Sequence, residues 1–129
     1  MRTMCIVVSF LFIIVSCDFY TLCYVTNESN ETIKVKTKPP LESLYDNEYR
    51  SQSFKYRVEL KDSFAFYEVP PYHEICIASV LGGIPREDEI MIYFIEIFSE
   101  DTLIFQTKKE IFTAFEKTDT RIYKIIVKN

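Results

Sequence analysis

Tryptophan is absent from the 129 residues, glycine occurs twice and histidine once. Two glycines are too few for the glycine-rich loops that cradle nucleotide phosphates, which disfavours Rossmann and P-loop architectures. A single histidine, His73, excludes histidine-rich metal centres, and any Ser/His/Asp or Cys/His mechanism would have to pass through it. No C-x-x-C, G-x-S-x-G, H-E-x-x-H or EF-hand pattern is present, and no cofactor is implied. Positive charge is not in excess either: the net charge is −4, so the long-range attraction expected of a nucleic-acid binder is missing and no nucleic-acid partner is expected. The one long apolar run, residues 5–15, would reach only about 16 Å as a helix against a hydrocarbon core of about 30 Å, which is too short for a permanent membrane span.

What the chain has in quantity is aromatic surface, with nine Tyr and eleven Phe in a composition that is 26% charged and 48% hydrophobic. That balance is globular, and large flat side chains with so little glycine point to a β-rich core. Period-two patterning agrees. Phe54, Tyr56, Val58 and Leu60 alternate with Lys55, Arg57 and Glu59, and Ile33, Val35 and Thr37 alternate with Lys34 and Lys36. Residues 22–26 precede the second of these across the Asn-rich segment 27–31, which reads as a hairpin turn. Pro39-Pro40 ends that strand, residues 41–53 read as a polar loop, and further strands are expected at 64–69, 75–80, 91–98, 102–106 and 121–127. Thr107 and Glu110 have capping-box spacing, which predicts one short helix near 108–117 with Ile111, Phe112 and Phe115 on one face. The expected fold is mostly β, an antiparallel β-sandwich, immunoglobulin-like or related, with that single helix.

The amino-terminal segment carries one charge, Arg2, ahead of its apolar run, the plan of a signal peptide. The run ends in Ile14-Val15-Ser16-Cys17, which resembles the lipobox of bacterial lipoprotein precursors. The overall plan is similar to that of small lipoproteins of Bacteroidetes-type bacteria. The resemblance implies that residues 1–16 are removed, that Cys17 receives a diacylglycerol thioether, and that the chain is anchored to a bacterial membrane facing outside the cytoplasm. Residues 17–22 would form a tether and 23–129 a single domain. One acyl chain holds a protein marginally and two or more hold it stably, so such an anchor replaces a spanning helix. Cleavage of an ordinary secretory signal after Cys17 is the alternative. It would give a soluble secreted glycoprotein or effector carrying sugar at the sequons Asn27-Glu28-Ser29 or Asn30-Glu31-Thr32.

With Cys5 in the leader and Cys17 lipidated, Cys23 and Cys76 remain. A disulfide between them and two separately buried thiols are both open. Four cations, Lys34, Lys36, Lys55 and Arg57, would share one surface if their two strands pair, and could contact anionic lipid headgroups or an acidic glycan. Tyr45, Tyr49 and Tyr72 fall in connections and are candidates for sugar or protein contact. Glu87-Asp88-Glu89 reads as a solvated turn before it reads as a Ca²⁺ or carboxylate site. His73 with Cys76 is the one conceivable nucleophilic pair. The expectation is a non-enzymatic envelope module, structural or binding a protein or glycan.

Overall fold

The computed structural model describes residues 20–44, 47–82 and 84–128. The expected leader, Cys17 and Tyr45 lie outside them. Alternation along the chain places the strands: β1 Tyr20–Asn27, β2 Ile33–Lys38, β3 Arg57–Lys61, β4 Phe64–Val69, β5 Glu74–Leu81, β6 Phe94–Phe98, β7 Leu103–Phe105, β8 Glu116–Asp119 and β9 Ile122–Val127. They form a four-stranded sheet ordered β5-β1-β9-β8 and a five-stranded sheet ordered β3-β4-β2-β6-β7. Every pairing is antiparallel except β1 with β9.

The fold is thus mostly β, with two sheets packed as a sandwich. Cys23, Val25, Ile75, Ile77, Ile125 and Val127 face inward from the four-stranded sheet, and Ile33, Val35, Ala65, Tyr67, Val69, Ile95 and Ile97 from the five-stranded one. Interdigitating inner faces of this kind make the core of a sandwich, each fully buried Val or Ile contributing about 1.5–3 kcal/mol. The helix expected near 108–117 is α2, Lys108–Ala114, which ends earlier: Glu116 and Lys117 begin β8. Thr107 Oγ1 accepts from the Glu110 N–H at 3.1 Å, and Glu110 Oε2 reaches back to the Gln106 N–H at 2.7 Å. Ile111 is buried, and Phe112 and Phe115 pack against the core.

The expectation of a single helix and several others need correction. The alternating run 54–60 is not one strand: Phe54 to Tyr56 end a helix, α1 (Asn47–Tyr56), and only β3 follows. Val58 and Leu60 are 52% and 55% exposed, because β3 is an edge strand whose inward side is left uncovered. The segment read as loop holds α1 and a 3-10 turn at Leu41–Ser43. Tyr20 to Leu22, expected within a tether over 17–22, instead open β1 and pair with β5. Finally, β1 and β2 are not a hairpin. They belong to different sheets, and residues 28–32 cross the sandwich between them.

That crossing is held by Asn27, whose side chain is fully buried. Its Nδ2 donates to Glu31 O at 2.7 Å and to Val69 O at 2.9 Å, at the end of β4 in the opposite sheet. Its Oδ1 accepts from the Ser29 N–H at 2.9 Å and the Ser29 hydroxyl at 2.6 Å. Its backbone binds the β4–β5 turn, donating to His73 O and accepting from Tyr72 N–H. All the hydrogen-bonding capacity of the side chain is used where water cannot replace it.

A second buried polar group fixes the 3-10 turn. The Tyr67 hydroxyl accepts from the Leu41 N–H at 2.8 Å and donates to Glu42 Oε2 at 2.7 Å. Burial, and then the bond to Glu42, hold this phenol above the usual range.

Replacing Asn27 with Ala strands several buried partners and is expected to lower unfolding free energy by ~2 kcal/mol or more, whereas Asn30→Ala at an exposed position should stay within about 0.5 kcal/mol. Equal urea midpoints for the two variants would contradict this account of the crossing. Tyr67→Phe keeps the ring but deprives Leu41 N–H and Glu42 of their partner. It should lose about 1–3 kcal/mol in the same titration.

Candidate functional site

The outer face of the five-stranded sheet is built by period-two alternation on its three central strands. Along β2, Ile33, Val35 and Thr37 are buried, which turns Lys34, Lys36 and Lys38 outward. Along β4, Ala65, Tyr67 and Val69 point in and Phe64, Phe66 and Glu68 out; along β6, Ile95 and Ile97 point in and Phe94, Glu96 and Phe98 out. Register then decides the neighbours. Lys34 lies between Glu68 and Phe98, Lys36 between Phe66 and Glu96, and Lys38 beside Phe94.

The lysine ammonium groups sit over ring faces. Lys36 Nζ is 4.3 Å from the Phe64 centroid, 5.5 Å from Phe66 and 5.6 Å from Phe94, and makes an ion pair with Glu96 Oε2 at 3.9 Å. Lys34 Nζ is 5.3 Å from Phe66, and Lys38 Nζ is 4.9 Å from Phe64 and 6.0 Å from Tyr93. Phe64 and Phe94 reach across β2 and meet edge to face, with centroids 5.4 Å apart. A cation within about 6 Å of a ring centroid is attracted by the ring quadrupole, by about 0.5–1 kcal/mol where exposed. The half-buried rings thereby fix the positions of three otherwise flexible side chains. A surface with oriented ammonium groups between aromatic edges and faces can take a ligand that is both anionic and flat or apolar on one side.

At one end of this face, Phe98 also lines an open cleft of about 550 Å³ with Asn30, Glu31, Thr32, Ser99 and Glu100. Its walls are the β1–β2 crossing and the β6–β7 turn.

The four-cation patch expected from Lys34, Lys36, Lys55 and Arg57 is not formed as such. β2 and β3 do not pair, because β4 lies between them. Lys55 belongs to α1 and sits over Tyr56 at 5.6 Å. Arg57 on β3 is committed elsewhere: its Nε lies 3.8 Å from buried Glu42 Oε1 and its guanidinium 4.5 Å from the Phe54 ring. Lys34 and Lys36 remain together, and Lys38, which continues their alternation past the expected strand, joins them. The aromatic partners were missed because they come from β4 and β6, whose pairing with β2 is not encoded in any local window.

Cys23 and Cys76 lie on neighbouring strands around an irregularity in register, Cys23 opposite Ala78 and Tyr24 opposite Cys76. Both are free, buried thiols, so the disulfide left open by the sequence is not formed here. The Cys76 Sγ donates to Ala78 O at 3.4 Å. Burial pushes both thiols up to about 12, and for Cys23 the neighbouring Cys76 adds to the shift. Cys76 is therefore a protonated core side chain at neutral pH and a poor nucleophile. His73 is exposed, with Nδ1 2.9 Å from Pro71 O and its ring edge-on to Tyr56 at 6.4 Å between centroids.

Of the two sequons, Asn27 is closed to glycosylation in the folded state, since its amide nitrogen is buried and donates twice. Asn30 is exposed, and its Oδ1 accepts from the Tyr72 hydroxyl at 2.9 Å. Tyr72 is 70% exposed. Among the described residues no group of three or more His, Cys, Asp or Glu is placed to hold a metal ion. Glu87–Glu89 forms a 3-10 turn in which Arg86 pairs with Glu89 and Asp88.

The thiols make stability depend on pH with a definite sign. Above the unfolded value of 9.0 the unfolded chain loses thiol protons that the folded chain keeps up to about 12. Their contribution is whole below the lower value and is lost as pH rises toward the upper one. The urea midpoint is expected to fall across that interval, and to fall less steeply in a Cys23→Ala/Cys76→Ala variant. Identical slopes would show that the thiols do not titrate this way.

No protein-family model matches the chain, and neither does any of the curated proteins or solved structures with which it was compared.

Proposed function

We propose that the chain is a non-catalytic, lipid-anchored module of the bacterial cell envelope. In this reading its immunoglobulin-like or related sandwich binds an acidic glycan on the outer face of the five-stranded sheet. The observation that carries the binding half is the row Lys34, Lys36 and Lys38 seated among Phe64, Phe66 and Phe94. A uronic-acid sugar offers the matching chemistry: a carboxylate for the ammonium groups and an apolar C–H face for the rings. Lys36 is already balanced by Glu96, so Lys34 and Lys38 are the cations offered to the ligand. The anchor half is supported by the lipobox-like Ile14-Val15-Ser16-Cys17. Burial of Asn27 removes one of the two sequons that favoured a secreted glycoprotein.

Two measurements test the halves separately. Intact mass of the amino-terminal peptide from a membrane fraction should show a thioether lipid on Cys17, and Cys17→Ser should leave the protein in the soluble fraction. An unmodified Cys17, or a sugar on Asn30, would sink the anchor. In calorimetric titration with polygalacturonate, Lys34→Gln/Lys38→Gln should bind at least about tenfold more weakly than the wild type, since a charge-assisted contact is worth ~1.5–3 kcal/mol. Binding should also weaken with salt. Equal affinity for a neutral dextran would overturn the glycan assignment.

A further inference from the structure

The end of the sandwich at which the described chain begins exposes several large apolar side chains beside the charged turn Arg86–Glu89. Tyr20 opens β1 and is 53% exposed; its partner across the pair is Leu81, the last residue of β5, 56% exposed. The chain then leaves the sheet through Gly82, at a φ of 103° that favours glycine, with its carbonyl accepting from the Thr21 hydroxyl. Ile84 follows two residues later and is 78% exposed. Residues 84–93 run across this same end toward β6, and the Tyr93 N–H donates to Lys38 O at the close of β2. Tyr93 is 44% exposed. Four large apolar or aromatic side chains from three separate segments are therefore exposed at this end, alongside Arg86, Glu87 and Asp88 of the 3-10 turn. Singly exposed apolar residues are ordinary, whereas a group of them marks a contact surface.

The opposite end has a different character. It carries the Asn27 crossing, the β4–β5 turn, and the polar cleft of Asn30, Glu31, Thr32, Ser99 and Glu100. The eight residues of β1 separate the two ends by about 25 Å at roughly 3.3 Å per residue.

We infer that the end formed by Tyr20, Leu81, Ile84 and Tyr93 rests in the headgroup region of the membrane to which the chain is anchored. The inference rests on the proposed lipid at Cys17. It is carried by chain length: Cys17 precedes Tyr20 by three residues, and three residues span at most about 11 Å whatever path they take. A lipid on Cys17 therefore brings this end, and not the one that bears the cleft, to the bilayer surface. Tyrosines with one wet and one apolar side suit the membrane–water interface, and Leu81 and Ile84 supply surface that gains by leaving water. The polar cleft then faces away from the membrane, and the lysine-bearing sheet face stands alongside the membrane normal.

The chain has no tryptophan, so a single introduced one is an unambiguous reporter. Full-length acylated Ile84→Trp protein is reconstituted into phosphatidylethanolamine–phosphatidylglycerol vesicles with dibrominated acyl chains. Tyr20→Trp serves as a second reporter at the same end and Glu100→Trp as one at the other. The expected result is blue-shifted emission, with loss of intensity to the brominated lipid, for Ile84→Trp and Tyr20→Trp, and neither change for Glu100→Trp. Unshifted, unquenched emission from both near-end reporters, in protein whose mass shows the Cys17 lipid, overturns the membrane contact alone. Protein whose mass lacks the lipid overturns the anchor and, with it, this inference.

Discussion

One buried amide holds the two sheets in relation to each other. Asn27 ends β1 in the four-stranded sheet, and its side chain closes on Val69 at the end of β4 in the five-stranded sheet. Because both donors and the acceptor of that side chain are used, and the backbone of the same residue binds the β4–β5 turn, a single position fixes three segments at once. Hydrogen bonds in a site without water strengthen electrostatically, and each orphaned partner carries a large desolvation penalty. The inner faces of the sheets are mostly Val and Ile, and those side chains supply attraction without direction. The direction in which β2 leaves β1, and so which face of β2 meets the core, is set at the crossing.

Everything on the outer face follows from that choice. A one-residue slip of β2 would send Lys34, Lys36 and Lys38 into the core and Ile33 and Val35 to solvent, so burial specifies the register strongly. Phe64 and Phe94 come from strands on either side and touch over β2 only because the register of both pairs is fixed. The same alternation that buries the core therefore builds the lysine and aromatic row.

This explains which parts were legible in the sequence. β2, β4, β9 and the capped helix α2 are governed by local period, turn residues and capping, and they appear near where those signals place them. The run 54–60 misled because its alternation spans a junction: residues 53–56 end a helix in which buried Ser53 and core-packed Tyr56 are a helical turn apart. An edge strand such as β8, exposed at all four residues, has no hydrophobic pattern to read, and its first two residues fall within the helix that capping predicts over 108–117. Partner choice is a property of the whole chain. Lys34 and Lys36 were correctly placed on a wet face, but their neighbours proved to be phenylalanines from β4 and β6, with β4 separating them from Arg57.

The buried groups separate structure from function in the same way. Cys76 and His73 are close in sequence, yet one is a buried thiol and the other a surface ring, because β5 begins at Glu74 and is buried continuously from Ile75 to Ala78, whereas His73 lies before it in the exposed turn. Glu42 illustrates the converse. A carboxylate this buried is stable only with partners, and it draws in Tyr67 from β4 and Arg57 from β3. Arg57 is thereby withdrawn from the surface on which its charge would have counted. On the outer face of the five-stranded sheet, Lys34 and Lys38 are not used by the core and sit over aromatic rings. In the proposed reading, that is why the face between β4 and β6 is where an anionic ligand meets groups whose positions the register sets.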